Sequence, residues 1–210
     1  MTAARVAERV VLLHGLWLRS TAMSFLERHL RADGFEPHAF DYSSVHEGVE
    51  SAGARLRDFV HGLDGTVHLV GHSLGGVLAA TIVQREPGLI GGRIVCLGAP
   101  LRGSAASRSL HRVPGGASLL GRSSEFLHRG LERWDGPQQL GMIAGRLPIG
   151  LGFLLGGVHM PHDGTVSVEE TRLPGIADHR VIAAAHTGLV FSEVAARQVS
   201  AFLRDGRFTE

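Results

Sequence analysis

The pentapeptide Gly71-His72-Ser73-Leu74-Gly75 decides the fold, because it places a serine between two glycines where an apolar strand gives way to a helix. The apolar run Val67 to Val70 leads into it. A sharp strand-to-helix turn lifts one side chain above a sheet in a strained backbone conformation, and the flanking segments come so close that only glycine fits. The pattern therefore predicts a nucleophile elbow that presents Ser73 at its tip.

Strands and helices alternate on both sides of this turn. Short, largely apolar runs bounded by turn residues predict strands at 8–13, 66–71, 93–97, 139–144 and 179–184. Residues 36–42, between two predicted helices, are interpreted as a further strand. Amphipathic or apolar stretches predict helices at 21–32, 49–63, 74–85 and 189–203. This alternation, with nearly continuous apolar strands, is typical of a parallel sheet covered by helices on both faces. We therefore expect an α/β protein with a six-stranded, mainly parallel sheet.

The alternation fails between residues 101 and 136, where serines, arginines and glycines surround one predicted helix at 124–134. A chain of 210 residues fits one domain. We expect a single domain over 1–210, in which 101–136 forms a small cap at one end of the sheet. The arginines from Arg102 to Arg133 fit a solvated cap surface better than a site that attracts an anionic substrate.

Composition excludes several classes of function. A net charge of +1, from 21 basic and 20 acidic residues, provides no field that would recruit nucleic acid or an anionic membrane. The sequence contains no lysine, which excludes chemistry through a lysine Schiff base. The single cysteine, Cys96, cannot form a disulfide within the chain, and its apolar strand predicts a small buried side chain.

Hydropathy predicts neither a membrane span nor a signal peptide. The longest uncharged apolar stretch, Leu147 to Val158, is broken by Pro148 and by glycines, and it falls short of the roughly 20 residues that a spanning helix requires. The first apolar run, at 10–13, is too short for the hydrophobic region of a signal peptide. We therefore expect a cytoplasmic protein without a transmembrane segment.

Three side chains suited to nucleophilic catalysis follow predicted strand ends, where parallel sheets gather their function. A serine hydroxyl needs a base to take its proton and a third group to fix that base's tautomer. The sequence provides Ser73, Asp163 and His186 in the order nucleophile, acid, base. Asp135 and Asp178 compete for the acid's role, but neither is predicted at the carboxyl end of a strand. We predict catalysis by Ser73, His186 and Asp163.

Attack on a carbonyl also requires N–H donors for the developing oxyanion, each worth about 2.7 to 4 kcal/mol of barrier. The Leu74 amide lies at the amino end of the helix after the nucleophile, and the Leu16 amide lies in the loop after the first strand. We predict that these two amides form the oxyanion hole. Trp17, Phe153 and Leu154 are candidates for an acyl pocket, although an ordinary core role fits them equally well.

The other histidines near these residues have simpler explanations. His72 adjoins the nucleophile, but we expect it to point elsewhere as a packed or hydrogen-bonded side chain. His159, His162 and Asp163 form a potential metal cluster, but Asp163 is already assigned to the predicted triad and no further ligand is evident. We expect neither a metal nor a cofactor.

Several segments together resemble a known family. They are V-V-L-L-H-G-L-W at 10–17, G-H-S-L-G-G at 71–76, L-G-A-P-L-R-G-S at 97–104, and residues 162–166 and 186–189. They are similar to the small bacterial lipase and esterase branch of the α/β-hydrolase superfamily. The resemblance implies an α/β-hydrolase fold, a triad of the matching serine, aspartate and histidine, and an oxyanion-hole amide from the residue after His-Gly. The glycines frequent after His-Gly in the family are Leu16-Trp17-Leu18 here, and 101–136 is short for a full lid.

These observations predict a serine hydrolase that cleaves small carboxylic esters with an apolar acyl group through an acyl-enzyme. A thioesterase or an amidase is the alternative within the enzyme class, because the same groups serve each leaving group. A protein that keeps the scaffold and binds a ligand without turnover is the alternative from another class, although no member of the triad is missing. The sequence alone does not indicate whether the protein is a monomer or an oligomer.

Overall fold

The structure, a computed structural model, describes residues 7–150 and 158–209. Its strands are β1 (Arg9–Leu13), β2 (Glu36–Phe40), β3 (Val67–His72), β4 (Ile94–Leu97), β5 (Leu140–Gly145) and β6 (Asp178–Ile182). They form one six-stranded sheet in the order β2-β1-β3-β4-β5-β6, and every neighbouring pair is parallel. The predicted six-stranded parallel sheet is thus confirmed.

Helices connect the strands in the order that the sequence predicts. They are α1 (Ser24–Ala32), α2 (Val49–His61), α3 (Leu74–Arg85), α4 (Ala105–His111), α5 (Gly116–Leu120), α6 (Ser124–Arg129), α7 (Val168–Thr171) and α8 (Glu193–Asp205). Short 3₁₀ turns occupy Ser20–Met23, Gly121–Ser123 and Thr187–Phe191. Helices α4 to α6 lie between β4 and β5, within the stretch where the sequence pattern fails.

Alternating side chains of the central strands enter two separate cores. Val10 and Leu12 of β1 pack in the apolar cluster that includes residues of α1 and α8, whereas Val11 and Leu13 pack in the cluster that includes residues of α2 and α3. All four side chains are fully buried. A strand covered on both faces needs apolar residues at every position, which is why β1 is a continuous apolar run without alternation.

The strand register aligns the carboxyl ends of the inner strands at one edge of the sheet. Leu13 is paired with Gly71, His72 with Leu97, and Leu97 with Ile143. The residues that follow these strand ends, and the loops that continue from them, therefore converge on the same edge. This convergence is what allows residues far apart in the sequence to build one site.

The extent of the helix predicted at 124–134 is wrong. Helix α6 ends at Arg129, because Gly130 adopts a φ of 63° and packs directly against backbone. A Cβ at Gly130 would lie 2.3 Å from the amide nitrogen of Gly103, so the chain turns there and no side chain fits. Helices α4 and α5 were not predicted.

Membrane insertion and metal binding can be assessed only within the described ranges. No helix there combines the length and the apolar character needed to cross a bilayer. Over the same residues, no group of three or more histidine, cysteine, aspartate or glutamate side chains is arranged to hold a metal ion.

Candidate active site

Ser73 lies at the tip of the turn between β3 and α3. Its φ of 52° and ψ of −119° are unusual for a residue with a side chain. A Cβ at Gly71 would lie 2.4 Å from the amide nitrogen of Gly76, and a Cβ at Gly75 would lie 2.5 Å from the carbonyl oxygen of His14. The strain and the close approach predicted for this turn are both confirmed.

The structure brings Ser73, His186 and Asp163 into one line of hydrogen bonds. His186 Nε2 lies 3.0 Å from Ser73 Oγ, and His186 Nδ1 lies 2.7 Å from Asp163 Oδ2. A carboxylate only accepts, so the imidazole proton belongs on Nδ1, and Nε2 is left to accept from the serine hydroxyl. This is the geometry in which an imidazole can take a proton from a serine.

The carboxylate of Asp163 is buried, and both of its oxygens accept hydrogen bonds. Its Oδ1 accepts hydrogen bonds from the amides of Thr165, at 3.0 Å, and Val166, at 2.8 Å, while Oδ2 faces His186. Its backbone carbonyl also accepts from the His186 amide at 2.8 Å. These bonds stabilise a buried negative charge and tie the acid's loop to the base's loop.

The competing aspartates lie elsewhere. Asp135 forms an ion pair with Arg133, and Asp178 begins β6, where its Oδ2 accepts from the Phe208 amide at 2.8 Å. Within residues 7–150 and 158–209, neither has a hydrogen bond to His186. The only carboxylate bonded to this imidazole in the described chain is that of Asp163.

Two backbone N–H groups near the nucleophile have no hydrogen-bond acceptor among the described residues. The Trp17 amide donates to Ser44 Oγ at 3.1 Å, but in the described part of the chain the amides of Leu16 and Leu74 have no acceptor. The Leu16 loop lies against the nucleophile, since a Cβ at Gly15 would be 3.2 Å from the serine Cβ. The Leu16 and Leu74 amides are therefore available to bind a developing oxyanion.

His14 supports this loop. Its side chain is fully buried, and its ring stacks on that of Tyr42 with the centroids 4.4 Å apart. The Tyr42 hydroxyl donates to the His14 carbonyl at 2.7 Å. Burial lowers the pKa of His14, so the ring is neutral and holds the start of the loop without carrying charge into the site.

Two members of the potential metal cluster, His162 and Asp163, make other contacts. His162 Nδ1 accepts from the Gly164 amide at 3.0 Å, which fixes the turn beside Asp163. Asp163 is committed to His186. His162 therefore shapes the acid's loop, whereas Asp163 holds the His186 ring.

A cavity of about 310 Å³ opens beside Ser73 and His186. Its described lining contains no aspartate, glutamate or arginine, and most of it is apolar. Trp17 belongs to this lining, as do Leu16, Leu18, Pro100, Ile149 and Val166. Phe153 and Leu154, the other candidates for the pocket, lie outside the described residues. The size is at the small end of the range for ligand pockets.

Sequence reasoning missed the contribution of segment 101–136 to this lining. Leu110, Leu120 and Leu127 all face the cavity, together with Ser104 and Ser107 of the same segment. Its leucines were the available signal, but the short helices have no long apolar period that would show which face is inward. All of its arginines are exposed, and none lines the described cavity.

Comparisons with known proteins agree with this fold. A family model described as the alpha/beta hydrolase family matches residues 10–152. A lipase of Bacillus licheniformis in its mature form is similar, with a TM-score of 0.77 and 18% identity over 97% of this chain and 94% of that one. No curated protein sequence gives a significant match.

Two further solved structures share the fold. A monoacylglycerol lipase of Paleococcus ferrophilus has a TM-score of 0.62 and 19% identity, covering 93% of this chain and 93% of that one. A pyrethroid hydrolase from Sphingobium faniae JZ-2 has a TM-score of 0.62 and 14% identity, covering 95% of this chain and 98% of that one. The family model covers more than half of the sequence, and the architecture of these structures is the same. The chain therefore belongs to the alpha/beta hydrolase family.

Proposed function

We propose that the protein is a serine hydrolase that cleaves carboxylic esters through an acyl-enzyme. The observation that carries this proposal is the hydrogen-bonded line from Ser73 Oγ through the His186 ring to Asp163, with distances of 3.0 and 2.7 Å. A serine that already donates to a neutral imidazole loses its proton as it attacks, so no rearrangement of the chain has to precede the reaction.

Each residue has a defined part in the reaction. Ser73 Oγ attacks the acyl carbon while His186 Nε2 takes the hydroxyl proton, and the same proton is then passed to the leaving alcohol. Asp163 holds Nδ1–H and stabilises the imidazolium that forms. The amides of Leu16 and Leu74 bind the oxyanion. Water then attacks the acyl carbon while His186 Nε2 takes one of its protons. The same proton passes to Ser73 Oγ as its bond to the acyl carbon breaks, which releases the acid and restores the serine.

The cavity supports a neutral substrate with a short or medium apolar acyl group. Its volume of about 310 Å³ leaves little room for a long chain, and its described lining has no charged carboxylate or guanidinium to pair with an ionised substrate. Ser104, Thr165 and Thr187 belong to the lining and add a few polar residues to it. Small uncharged esters fit this surface best.

A thioester or an amide would use the same groups, so the bond cleaved has to be established by experiment. We expect p-nitrophenyl butyrate to be hydrolysed, and p-nitrophenyl esters of increasing chain length to react progressively less well. Acyl thioesters and anilides of the same acyl groups, tested in parallel, should be poorer substrates. A higher kcat/KM for either class than for the ester would reassign the leaving group.

A fluorophosphonate probe distinguishes the enzyme from a scaffold that only binds. The wild type should form a covalent adduct and lose activity, and Ser73→Ala should form none. Ser124→Ala is a matched control, because Ser124 begins α6 and is bonded to His111 at 3.3 Å without lining the cavity. Folded wild type that neither hydrolyses esters nor reacts with the probe would refute the proposal, as would full activity in Ser73→Ala.

A further inference from the structure

His72, the residue before the nucleophile, makes a contact that the reaction above does not use. Its side chain is 1% exposed, and its Nε2 lies 3.0 Å from the backbone carbonyl oxygen of His186. A carbonyl oxygen can only accept, so Nε2 must carry the proton and donate it. The tautomer of His72 is therefore fixed by the backbone of the residue that carries the base.

The other ring nitrogen of His72 has no role as a donor. With the proton on Nε2, Nδ1 is a bare acceptor, and it has no hydrogen-bond partner in the described part of the chain. Burial, with the nearby His186 ring adding to the effect, lowers the pKa of His72 to about 3. The ring is thus neutral near pH 7, and its low pKa makes Nδ1 too weak a base to serve beside His186.

The bond from His72 anchors the base from outside its own loop. Among the described residues, the carbonyl of His186 receives one other hydrogen bond, from the Leu189 amide at 3.3 Å, and that amide is shared with the Ala185 carbonyl at 3.0 Å. The shared bond is the longer and weaker one. His72 is therefore the main donor to this carbonyl, and it links the base's loop directly to the strand that carries Ser73.

The opposite side of the His72 ring supports the loop of the predicted oxyanion hole. A Cβ at Gly15 would lie 2.8 Å from His72 Nδ1, so the backbone of Gly15 rests on the ring. The Leu16 amide follows immediately in the chain. One buried ring thus lies between the loop that carries the base and the loop that carries an oxyanion donor.

We propose that His72 is a positioning residue, which sets the place of the His186 ring relative to Ser73 by donating Nε2–H to the His186 carbonyl. The inference rests on the proposed function, because it concerns the alignment of the same nucleophile and base. His72 acts through His186 and bonds to no reacting atom. His72 also borders the described cavity, so its loss should lower kcat by much more than it changes KM, because a misplaced base weakens the chemical step itself.

Two substitutions separate the hydrogen bond from the packing. His72→Phe keeps a flat ring and removes the donor, whereas His72→Gln keeps an N–H donor of similar reach. A misplacement of about 1 Å costs about 100-fold in rate, so we expect His72→Phe to lose about 10-fold or more in kcat, with KM within about 3-fold of the wild type. His72→Gln should recover most of kcat.

His68→Phe is a matched control on the same strand. His68 is also 1% exposed, but it lies towards the other end of β3, where its Nδ1 accepts from the Arg93 amide at 2.9 Å. Its replacement leaves that amide without its acceptor and should lower the thermal midpoint while kcat stays at the wild-type value. A loss of kcat in His68→Phe as large as in His72→Phe would show that any buried defect in the strand slows the enzyme, and would overturn the positioning role.

Nuclear magnetic resonance tests the inference without activity. Long-range ¹H–¹⁵N spectra of the His72 ring should show the Nε2–H tautomer alone, with no titration between about pH 5 and pH 9. An Nδ1–H tautomer, or a ring that titrates in this range, would overturn the inference even if His72→Phe fails to fold. Wild-type kcat in folded His72→Phe, in an enzyme whose activity depends on Ser73, would refute the positioning role and leave the proposed function standing. Full activity in Ser73→Ala would instead refute the proposed function.

Discussion

Gly98 offers the sharpest test of how tightly the acid and the base are held. It follows β4 with a φ of 56°, and its amide donates to the Ile143 carbonyl at 2.8 Å. A Cβ at this position would lie 3.1 Å from Asp163 Oδ2, 3.2 Å from His186 Nδ1 and 2.8 Å from a terminal carbon of Leu189. Gly98→Ala would therefore press a methyl group against the hydrogen bond between the acid and the base.

The size of the effect follows from these distances. The end of the Leu189 side chain can rotate away, but the acid and the base are held on several sides, so they must shift by a few tenths of an ångström. If 1 Å of misplacement costs about 100-fold, this shift costs about 3- to 10-fold in kcat. A left-handed backbone at a non-glycine residue adds about 1 to 2 kcal/mol of destabilisation. For a chain of this size, that lowers the thermal midpoint by about 2 to 8 °C.

Gly34→Ala separates the two effects. Gly34 has a φ of 88°, and a Cβ there would meet no heavy atom within 4 Å. The control should lose a similar amount of thermal stability and keep the kcat of the wild type. Both variants are assayed for p-nitrophenyl butyrate hydrolysis at a temperature well below either midpoint, with the folded fraction checked by circular dichroism. Unchanged kcat in Gly98→Ala, or an equal loss of kcat in Gly34→Ala, would refute the argument from contact.

Three further predictions follow from the structure. Asp163→Asn should keep the fold and lower kcat by about 10,000-fold, because the amide can donate to His186 Nδ1 and favour the tautomer with its proton on Nε2. A loss of kcat below about 10-fold in steady-state kinetics would contradict this prediction. Burial lowers the pKa of His72 to about 3 in the folded protein, against about 6.5 in the unfolded chain. Between about pH 6.5 and about pH 3 the unfolded chain therefore binds a proton on this ring that the folded protein does not bind. The free energy of unfolding consequently falls as the pH drops through this range. Urea unfolding from about pH 7 to pH 4 should show that His72→Gln flattens this fall by up to about 1.4 kcal/mol per pH unit, and equal slopes would count against a neutral buried ring. Burial raises the pKa of the Cys96 thiol to about 12, so iodoacetamide should neither label the folded protein nor inhibit it. Rapid labelling would contradict this prediction and would show that β4 opens to solvent.

The centre of the sheet and the order of the helices were predictable because the inner strands carry their signal locally, whereas the edge strands β2 and β6 are partly polar. The uninterrupted apolar run of β1 and the uniformly buried β3 indicate strands covered on both faces, whatever lies around them. Boundaries were less well defined. The last helix was expected from residue 189, but a 3₁₀ turn comes first and α8 begins at Glu193, where Ser192 Oγ caps it by accepting from the Ala195 amide at 3.2 Å. Ser192 is a capping signal that the apolar pattern obscured.

Segment 101–136 could not be predicted, because contacts with distant parts of the chain fix it. The Trp17 indole donates to the Leu119 carbonyl at 2.9 Å, and the amide of Arg122 donates to the Val45 carbonyl at 3.0 Å. Ser104 alone gives a local signal, since its hydroxyl caps α4. Short helices have little intrinsic stability, so their positions depend on such partners and not on a period in their own sequence.

The difference between a local sequence signal and a long-range contact also separates the residues proposed to react from those proposed to align them. Ser73, Asp163 and His186 could be located because their positions relative to glycines and strand ends are local features of the sequence. His72 was expected to be a packed or hydrogen-bonded histidine, and it is hydrogen-bonded, but its partner lies 114 residues away and no local pattern names it. The contact of Gly98 with the acid and base is likewise created only when strands pair. Variants at such supporting positions therefore test the folded arrangement itself, which substitutions of the reacting groups cannot do.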